Sequence, residues 1–362
     1  EMVIRDWSSD VCSSDLGEVA LLRLSHLALL AGTAFAAFAT PAAAQGQVTV
    51  YCSILEEQCR EGATIFEKAT GIKVQMVRKS TGEVYAQVKA EATNPRGDVW
   101  WGGPGEPHLQ AADEGLLDEY KSPRLAELHD WARRHAEQSK FRTSGIYLGA
   151  LGIGYNLETL KSKKLAEPKC WADLLDPRFK DEVQVADPSS SGTAYVFLAT
   201  TVQRLGEEKG FDFLKSLHKN ISQYTKSGIA PVKATALGES AVGIAFMHDM
   251  LTQKLQGAPI GIVAPCEGTG YETGSVSVIK GGKSPEAARK FVDFTLSPEA
   301  QDINARLKIN SIPSNKNAKL SPDAPKFEEI KLIDYDTPRW GSPAERLRLL
   351  KKFDDEVKAL PR

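Results

Sequence analysis

The sequence predicts an α/β fold with a mainly parallel sheet, because short strand-like runs alternate with helical patterns along the chain. Residues 48–51 alternate apolar and polar side chains, and residues 55–70 follow with helical spacing and a stop at Gly71. Residues 73–77 then repeat the strand pattern. Ligands of such sheets bind beyond the carboxyl ends of the strands, so the loops after the strands are the candidate site.

The next stretch continues this alternation. Residues 80–83, Ser-Thr-Gly-Glu, have the pattern of an N-cap with a capping box and predict a helix to about residue 92. Residues 98–101 predict a third strand, which leads into a glycine-rich turn and a helix over 107–114. The loop residues that this order brings to the strand ends are Ser53, Ser80, Thr81 and Gly82.

A Ser/Gly/Thr cluster in the middle of the chain is the strongest candidate for an anion site. Residues 183–187 predict a strand, and a helical pattern follows from about 194 to 205. The first N–H groups of a helix lack partners and its N-terminus is partly positive, so such a cluster suits phosphate or carboxylate. The alternative is that the same residues only cap their own helix. The cluster comprises Ser189, Ser190, Ser191, Gly192 and Thr193.

The remaining elements complete the α/β pattern. Residues 145–156 predict an apolar strand that is either central and buried or crosses from one lobe to the next. Further predicted elements are strands at 242–247, 260–266 and 275–279 and helices at 210–218, 230–237, from 284, from 297 and at 343–360. His248 and Asp249 follow a strand and could serve only as a helix cap, and Glu272 falls in a predicted loop, where it could simply be exposed.

Composition and the N-terminal segment predict an exported protein. The chain has 42% hydrophobic and 25% charged residues with a net charge of −2, which excludes a strongly basic nucleic-acid binder. An apolar run at 27–38 and an Ala-x-Ala site ending at Ala44 predict a signal peptide over 18–44 and delivery to the periplasm. Residues 1–17 do not have the composition of a signal-peptide n-region and resemble translated sequencing-adapter sequence rather than protein, so the true start codon stays open.

The cysteines that follow the predicted leader are even in number. Cys52, Cys59, Cys170 and Cys266 predict two disulfides in an exported protein, and three connectivities are possible. The seven-residue spacing of the first two favours a local bridge, which would leave Cys170 with Cys266. The spacing matches no zinc motif, so no metal site is predicted.

Several segments together closely resemble the periplasmic substrate-binding proteins of bacterial ABC importers. They are TVYCSILEEQC (49–59), FEKATGIKV (66–74), STGEVYAQVKAEA (80–92), ADPSSSGTAY (186–195), APCEGTGYETGSVSVIKG (264–281) and SPEAARKFVDFTLSPEAQ (284–301). The resemblance covers essentially all of 47–362 and implies a type II two-lobed fold, each lobe a mainly parallel sheet flanked by helices, with hinge strands between. The implied first lobe is 47–150 plus 265–310, and the second is 151–264 plus 311–362.

The resemblance also implies the function. It indicates a non-enzymatic, monomeric binding subunit, with no cofactor, that closes on a small anionic ligand and delivers it to a membrane permease with its ATPase. The sequence is similar in particular to binders of ferric ion, hexose phosphate, phosphoglycerate and aminoethylphosphonate. By resemblance to the hexose-phosphate type, residues 189–193 would hold phosphate, and His248, Asp249 and Glu272 would bind the hydroxyl groups. Ser53, Ser80, Thr81 and Gly82 would contribute from the first lobe.

Three other ligands or activities compete with a sugar phosphate. An aminophosphonate fits equally well, because Asp249 or Glu272 could pair with its ammonium group. Ferric binders of this group use adjacent tyrosines. The sequence has no Tyr-Tyr pair, so ferric ion is disfavoured and is kept as the alternative ligand. An exported hydrolase using His248, Asp249 and a serine is disfavoured, since no Gly-x-Ser-x-Gly motif is present.

Overall fold

The computed structural model describes residues 46–361. The predicted leader, residues 1–44, lies outside the described residues. Across residues 46–361, none of the helices combines the length and the apolar character that crossing a membrane requires.

The described chain alternates strands and helices as predicted. The strands are β1 Gln47–Cys52, β2 Lys73–Arg78, β3 Val99–Pro104, β4 Ser144–Asn156, β5 Val183–Ala186, β6 Ile221–Thr225, β7 Val242–Phe246, β8 Ile260–Val263, β9 Tyr271–Val278 and β10 Ile312–Pro313. The helices are α1 Glu56–Thr70, α2 Thr81–Ala90, α3 Gly105–Asp113, α4 Asp130–Gln138, α5 Leu157–Lys163, α6 Gly192–Leu205, α7 Glu207–His218, α8 Ala230–Leu237, α9 Met247–Leu255, α10 Pro285–Thr295, α11 Pro298–Arg306, α12 Thr337–Gly341 and α13 Pro343–Phe353.

The sheet is mixed, with parallel strands at both ends and antiparallel strands in the centre. Its order is β2-β1-β3-β9-β4-β7-β5-β6, with β8 and β10 also paired to β4. β1 is parallel to β2 and β3, and β5 is parallel to β6 and β7. The pairs of β4 and β9 are antiparallel, which the expectation of a mainly parallel sheet did not include.

β4 connects the two halves of the sheet, as the crossing-strand interpretation of this segment predicted. Residues 144–150 of β4 pair with β9, and residues 151–156 pair with β7 and β8. The first part of β4 therefore belongs to a sheet half with β1–β3, and the second part belongs to a half with β5–β7.

Each half has its own hydrophobic core. The first half packs α1 and α10 on one face, around Phe66 and Phe291, and α2 and α3 on the other, around Tyr51 and Trp100. We call these two clusters together the first core. The second core surrounds Tyr195 and includes α6 and α7. The C-terminal helices α12 and α13 also contribute to it, through Trp340, Leu349 and Phe353.

Local signals explain where several elements begin and end. Gly71 ends α1 at φ 73°, a conformation that glycine adopts without strain. The predicted capping box forms at Ser80 and Glu83 and opens α2. β9 begins at Tyr271, four residues earlier than predicted, because the glycines of the Gly-Thr-Gly-Tyr-Glu-Thr-Gly segment resemble a loop in sequence.

Both predicted disulfides are present. Cys52 is bonded to Cys59, and Cys170 is bonded to Cys266. The first closes the loop that connects β1 to α1, and the second joins the chain after α5 to the segment that precedes β9. Among the described residues, the one group with metal-ligand geometry is Cys170, Cys266 and Glu267, and its two cysteines are oxidised to each other.

Candidate functional site

A cleft of about 540 Å³, counted with its open mouth, lies beside the crossing strands β4 and β9. Residues of both sheet halves line it, which places it beyond the carboxyl ends of the parallel strands. The lining residues are Ser53, Ile54, Leu55, Gln58, Arg78, Ser80, Thr81, Gly103, Pro104, Tyr147, Thr193, Gly228, Ile229, Phe246, His248, Asp249, Glu272, Ile309 and Ser311.

Six helix N-termini converge on this cleft. The lining residues that cap a helix or lie in its first turn are Leu55 of α1, Ser80 of α2, Pro104 of α3, Thr193 of α6, Ile229 of α8 and Phe246 of α9. The first N–H groups of a helix have no partner within the helix itself, and each N-terminus carries a partial positive charge. Their convergence makes the cleft favourable for an anion.

Arg78 adds a full positive charge to the same cleft. It ends β2, and its Nε donates a 3.1 Å hydrogen bond to the carbonyl oxygen of Ile54. Its Nη1 lies 3.5 Å from Oγ of Ser227 in the other half. Arg78 is the one Lys or Arg among the described lining residues, and the sequence analysis missed it. Its position at the carboxyl end of a parallel strand was the signal that could have identified it.

Three ionisable side chains form a buried polar cluster in the cleft. His248 and Asp249 lie in the first turn of α9, and Glu272 lies in β9. Nε2 of His248 is 3.6 Å from Oδ1 of Asp249 and 3.8 Å from Oε1 of Glu272. Nδ1 of His248 and Oε2 of Glu272 are buried and have no hydrogen-bond partner among the described residues. Glu272 is 1% exposed, so the exposed-loop interpretation of it is wrong.

Burial favours the neutral forms of this cluster. It raises the pKa of Glu272 well above 4.5, and the nearby Asp249 carboxylate raises it further. Burial also raises the pKa of Asp249, against the opposing effect of His248, and lowers the pKa of His248. The cluster can therefore donate and accept hydrogen bonds while carrying little charge, which suits hydroxyl groups.

Cross-strand glycines make room for the cluster. Gly149 of β4 lies opposite Glu272 of β9, and a Cβ at Gly149 would overlap the His248 ring. Gly274 lies opposite Tyr147, and a Cβ there would overlap the Tyr147 ring. The two glycines thus determine where His248 and Tyr147 stand in the cleft.

Replacing Gly149 with alanine is expected to displace His248 and weaken ligand binding by at least tenfold, with a loss of about 1–3 kcal/mol in unfolding free energy from overpacking. Denaturant unfolding and titration calorimetry would measure both effects. Gly46→Ala is the matched control, because no atom lies within 4 Å of a Cβ at Gly46. Unchanged affinity in Gly149→Ala would contradict the positioning of His248 by this glycine.

The structure brings part of the predicted site together in the cleft. The predicted ligand residues that line it are Ser53, Ser80, Thr81, Thr193, His248, Asp249 and Glu272. Gly82, Ser189 and Ser190 line a separate, more open groove with Lys226 and Lys358. Ser191 and Gly192 are buried where α6 begins and line neither.

Direct contacts between the halves explain this placement. The Gly82 N–H donates a 3.0 Å hydrogen bond to the carbonyl oxygen of Ser190, so the 189–190 turn packs on the start of α2. Ser191 accepts a hydrogen bond from the Ala194 N–H and caps α6. A Cβ at Gly192 would come within 2.9 Å of Pro104. The halves are therefore closed on each other in this structure.

Comparison with known proteins identifies relatives over nearly the whole described chain. A family model described as bacterial extracellular solute-binding protein matches residues 107–339. The periplasmic binding protein AfuA from Actinobacillus pleuropneumoniae, solved with exogenous fructose-6-phosphate bound, is 43% identical. The two structures superpose with a TM-score of 0.85 over 87% of this chain and 100% of that one.

Two more distant proteins also match, one in sequence and one in structure. A Salmonella typhimurium protein, named as a candidate 2-aminoethylphosphonate-binding periplasmic protein, is 27% identical over 90% of this chain and 99% of its own. Iron-bound HitA from Pseudomonas aeruginosa is 23% identical, with a TM-score of 0.69 over 85% of this chain and 99% of its own, a likeness of fold alone. The two-lobed periplasmic-binding-protein fold is thereby confirmed. The exact lobe boundaries stay a prediction.

Proposed function

Because the chain belongs to the bacterial extracellular solute-binding protein family, we propose that it captures a small phosphorylated or phosphonate-bearing solute by closure of its two lobes. Membership makes it the non-enzymatic, solute-binding component of an ABC importer. Its relatives are periplasmic binding proteins, and we place the mature, monomeric chain in the periplasm as well. There it would deliver its ligand to a permease and its ATPase.

The convergence of six helix N-termini and Arg78 on one cleft is the observation that carries this proposal. Backbone N–H groups, the hydroxyls of Ser53, Ser80, Thr81 and Thr193, and one guanidinium provide donors for a doubly charged oxyanion. The proposed phosphate site therefore uses the start of α6 through Thr193, with Ser191 and Gly192 supporting it from behind.

The buried cluster of His248, Asp249 and Glu272 would bind the other end of the ligand. Its unpaired Nδ1 and Oε2 atoms and its preference for neutral forms favour sugar hydroxyls. The 43% identity to a protein solved with fructose-6-phosphate supports the same choice. A more distant relative is named for an aminophosphonate, so an ammonium group is the second possibility for this end of the ligand.

Ferric ion is the alternative ligand. The cleft is lined by one tyrosine among the described residues, Tyr147, and by no adjacent pair. The relative solved with iron is also less similar than the one solved with a sugar phosphate. A ferric complex would give the purified protein a visible charge-transfer colour.

A thermal-shift panel of hexose phosphates, glycerophosphates, phosphonates, phosphate and ferric salts tests the proposal. We expect a hexose phosphate to give the largest shift, equivalent to about 2.7 kcal/mol at 100 times its dissociation constant. Failure of every phosphorylated and phosphonate compound to raise the unfolding temperature would contradict the proposed ligand class. Steady release of phosphate from a hexose phosphate would instead contradict a binding function and favour the hydrolase.

A further inference from the structure

Arg346 of α13 is a buried arginine that contacts both halves of the molecule. Its side chain is 2% exposed, and its Nη1 donates a 2.9 Å hydrogen bond to Oε1 of Gln110 in α3. The guanidinium also lies over the rings of Tyr85 in α2, at 5.5 Å, and Tyr195 in α6, at 4.8 Å. α2 and α3 pack in the first core, whereas α6 packs in the second.

The rest of α13 is fixed to the second core. Leu349 and Phe353 are buried in that core. Arg348 and Lys352 form ion pairs with Glu207 at the start of α7. If the halves separate, α13 therefore stays with the second core, and the Arg346 contacts with α2 and α3 must break.

Close packing next to Arg346 supports the same arrangement. Gly341 ends α12 against α3, where a Cβ would come within 2.8 Å of the Leu109 Cβ atom. α3 presents Pro104 to the cleft, and α2 presents Ser80. Contacts that hold α2 and α3 against the C-terminal helices therefore bring these helix N-termini toward Thr193 on the opposite wall.

The contacts of Arg346 are incomplete for a buried cation. Its Nε and Nη2 have no acceptor among the described residues, and Oε2 of the nearby Glu106 has no donor. Glu106 is 1% exposed, and burial raises its pKa to about 7. A buried guanidinium with unpaired donors stabilises a fold poorly, so stability alone does not account for Arg346.

We propose that Arg346 is a positioning residue for ligand capture, which ties the C-terminal helix of the second core to α2 and α3 and so holds the lobes closed. It does not line the cleft and acts only through the helices that do. The inference rests on the proposed function in one respect, because it takes lobe closure as the capture step.

Spin labels on the two end strands of the sheet would report closure. Gln75 of β2 and Lys219 next to β6 are exposed and can each be replaced with a labelled cysteine. Arg346→Met is expected to reduce the short-distance population at least twofold and to speed dissociation of fructose 6-phosphate about tenfold, with the association rate unchanged. Arg348→Met is the matched control, because the hydrogen bonds of Arg348 within residues 46–361 are to Glu207 and Glu345 and not to α2 or α3. We expect it to behave like the wild type.

The comparison of the two variants decides whether Arg346 holds the lobes closed. Equal distances and dissociation rates in Arg346→Met and Arg348→Met would overturn the inference, as would a wild type with no short-distance population. If circular dichroism shows that Arg346→Met does not fold, Gly341→Ala replaces it, because its added methyl group should separate α12 from α3. A wild type that closes but responds to no phosphorylated compound would contradict the proposed function and leave the Arg346 comparison in force.

Discussion

Replacing Arg78 with methionine is expected to weaken binding of fructose 6-phosphate by about 10- to 100-fold, as the loss of a charge-assisted hydrogen bond predicts. Methionine keeps much of the side-chain volume but removes the one cationic group that lines the cleft in the described chain. A bound phosphate would then depend on helix N-termini and hydroxyls alone. Titration calorimetry at fixed ionic strength would measure the change.

Two further variants sharpen this measurement. Lys79→Met removes the same charge from the next residue, which does not line the cleft, and should leave the affinity within about twofold. Arg78→Lys should give an intermediate loss, because an ammonium group cannot reproduce the planar, two-pronged contact of a guanidinium with phosphate. An affinity within twofold of wild type in Arg78→Met would show that Arg78 does not bind the ligand.

Replacing Glu272 with glutamine is expected to have opposite effects on binding and on stability. A ligand hydroxyl should lose no more than about tenfold in affinity, because glutamine keeps an acceptor oxygen and a donor in nearly the positions that neutral Glu272 offers. A ligand ammonium would lose its buried counter-charge, at a cost above about 100-fold. The ligand-free protein should become more stable at neutral pH, because glutamine keeps the shape of Glu272 without a buried group that can ionise. The variant thus also distinguishes a sugar phosphate from an aminophosphonate.

The pH dependence of stability provides an independent test of Glu272. The folded protein raises the pKa of Glu272, so it holds this proton more tightly than the unfolded chain, in which the pKa is near 4.5. The stability that neutral Glu272 contributes is complete below about pH 4.5 and is lost as the pH rises. The unfolding temperature of ligand-free Glu272→Gln should therefore match that of the wild type at pH 4 and exceed it increasingly toward neutral pH. A lower unfolding temperature for the variant at pH 7 would contradict the burial effect.

The helices and strands could largely be predicted because local signals specify them. Gly71 and the Ser80–Glu83 capping box mark the ends of helices through their own backbone and side-chain chemistry. The sequence analysis missed β6, the early start of β9, and also α4, α5, α12 and β10. β6 has few strongly apolar residues, and Gly274 of β9 is required by the Tyr147 side chain on the neighbouring strand. That requirement is set by strand register, which a single sequence does not display.

The site could be predicted in residue type but not in geometry. His248 and Asp249 were identified through the resemblance to hexose-phosphate binders, and the cleft contains both. Arg78 was missed because an arginine at a strand end also fits an ordinary exposed position. Ser189 and Ser190 have the right chemistry for an anion, yet their turn faces the outer groove once the halves close. Whether they contact the ligand stays a prediction.

Titration calorimetry of residues 46–362 with fructose 6-phosphate and with fructose tests the central claim most directly. The two ligands differ by the phosphate group, which the helix N-termini and Arg78 are proposed to bind. We predict saturable binding of one fructose 6-phosphate per chain and no measurable binding of fructose. Equal affinity for the two sugars, or binding of neither together with tight binding of ferric ion, would contradict a cleft built for a phosphorylated solute.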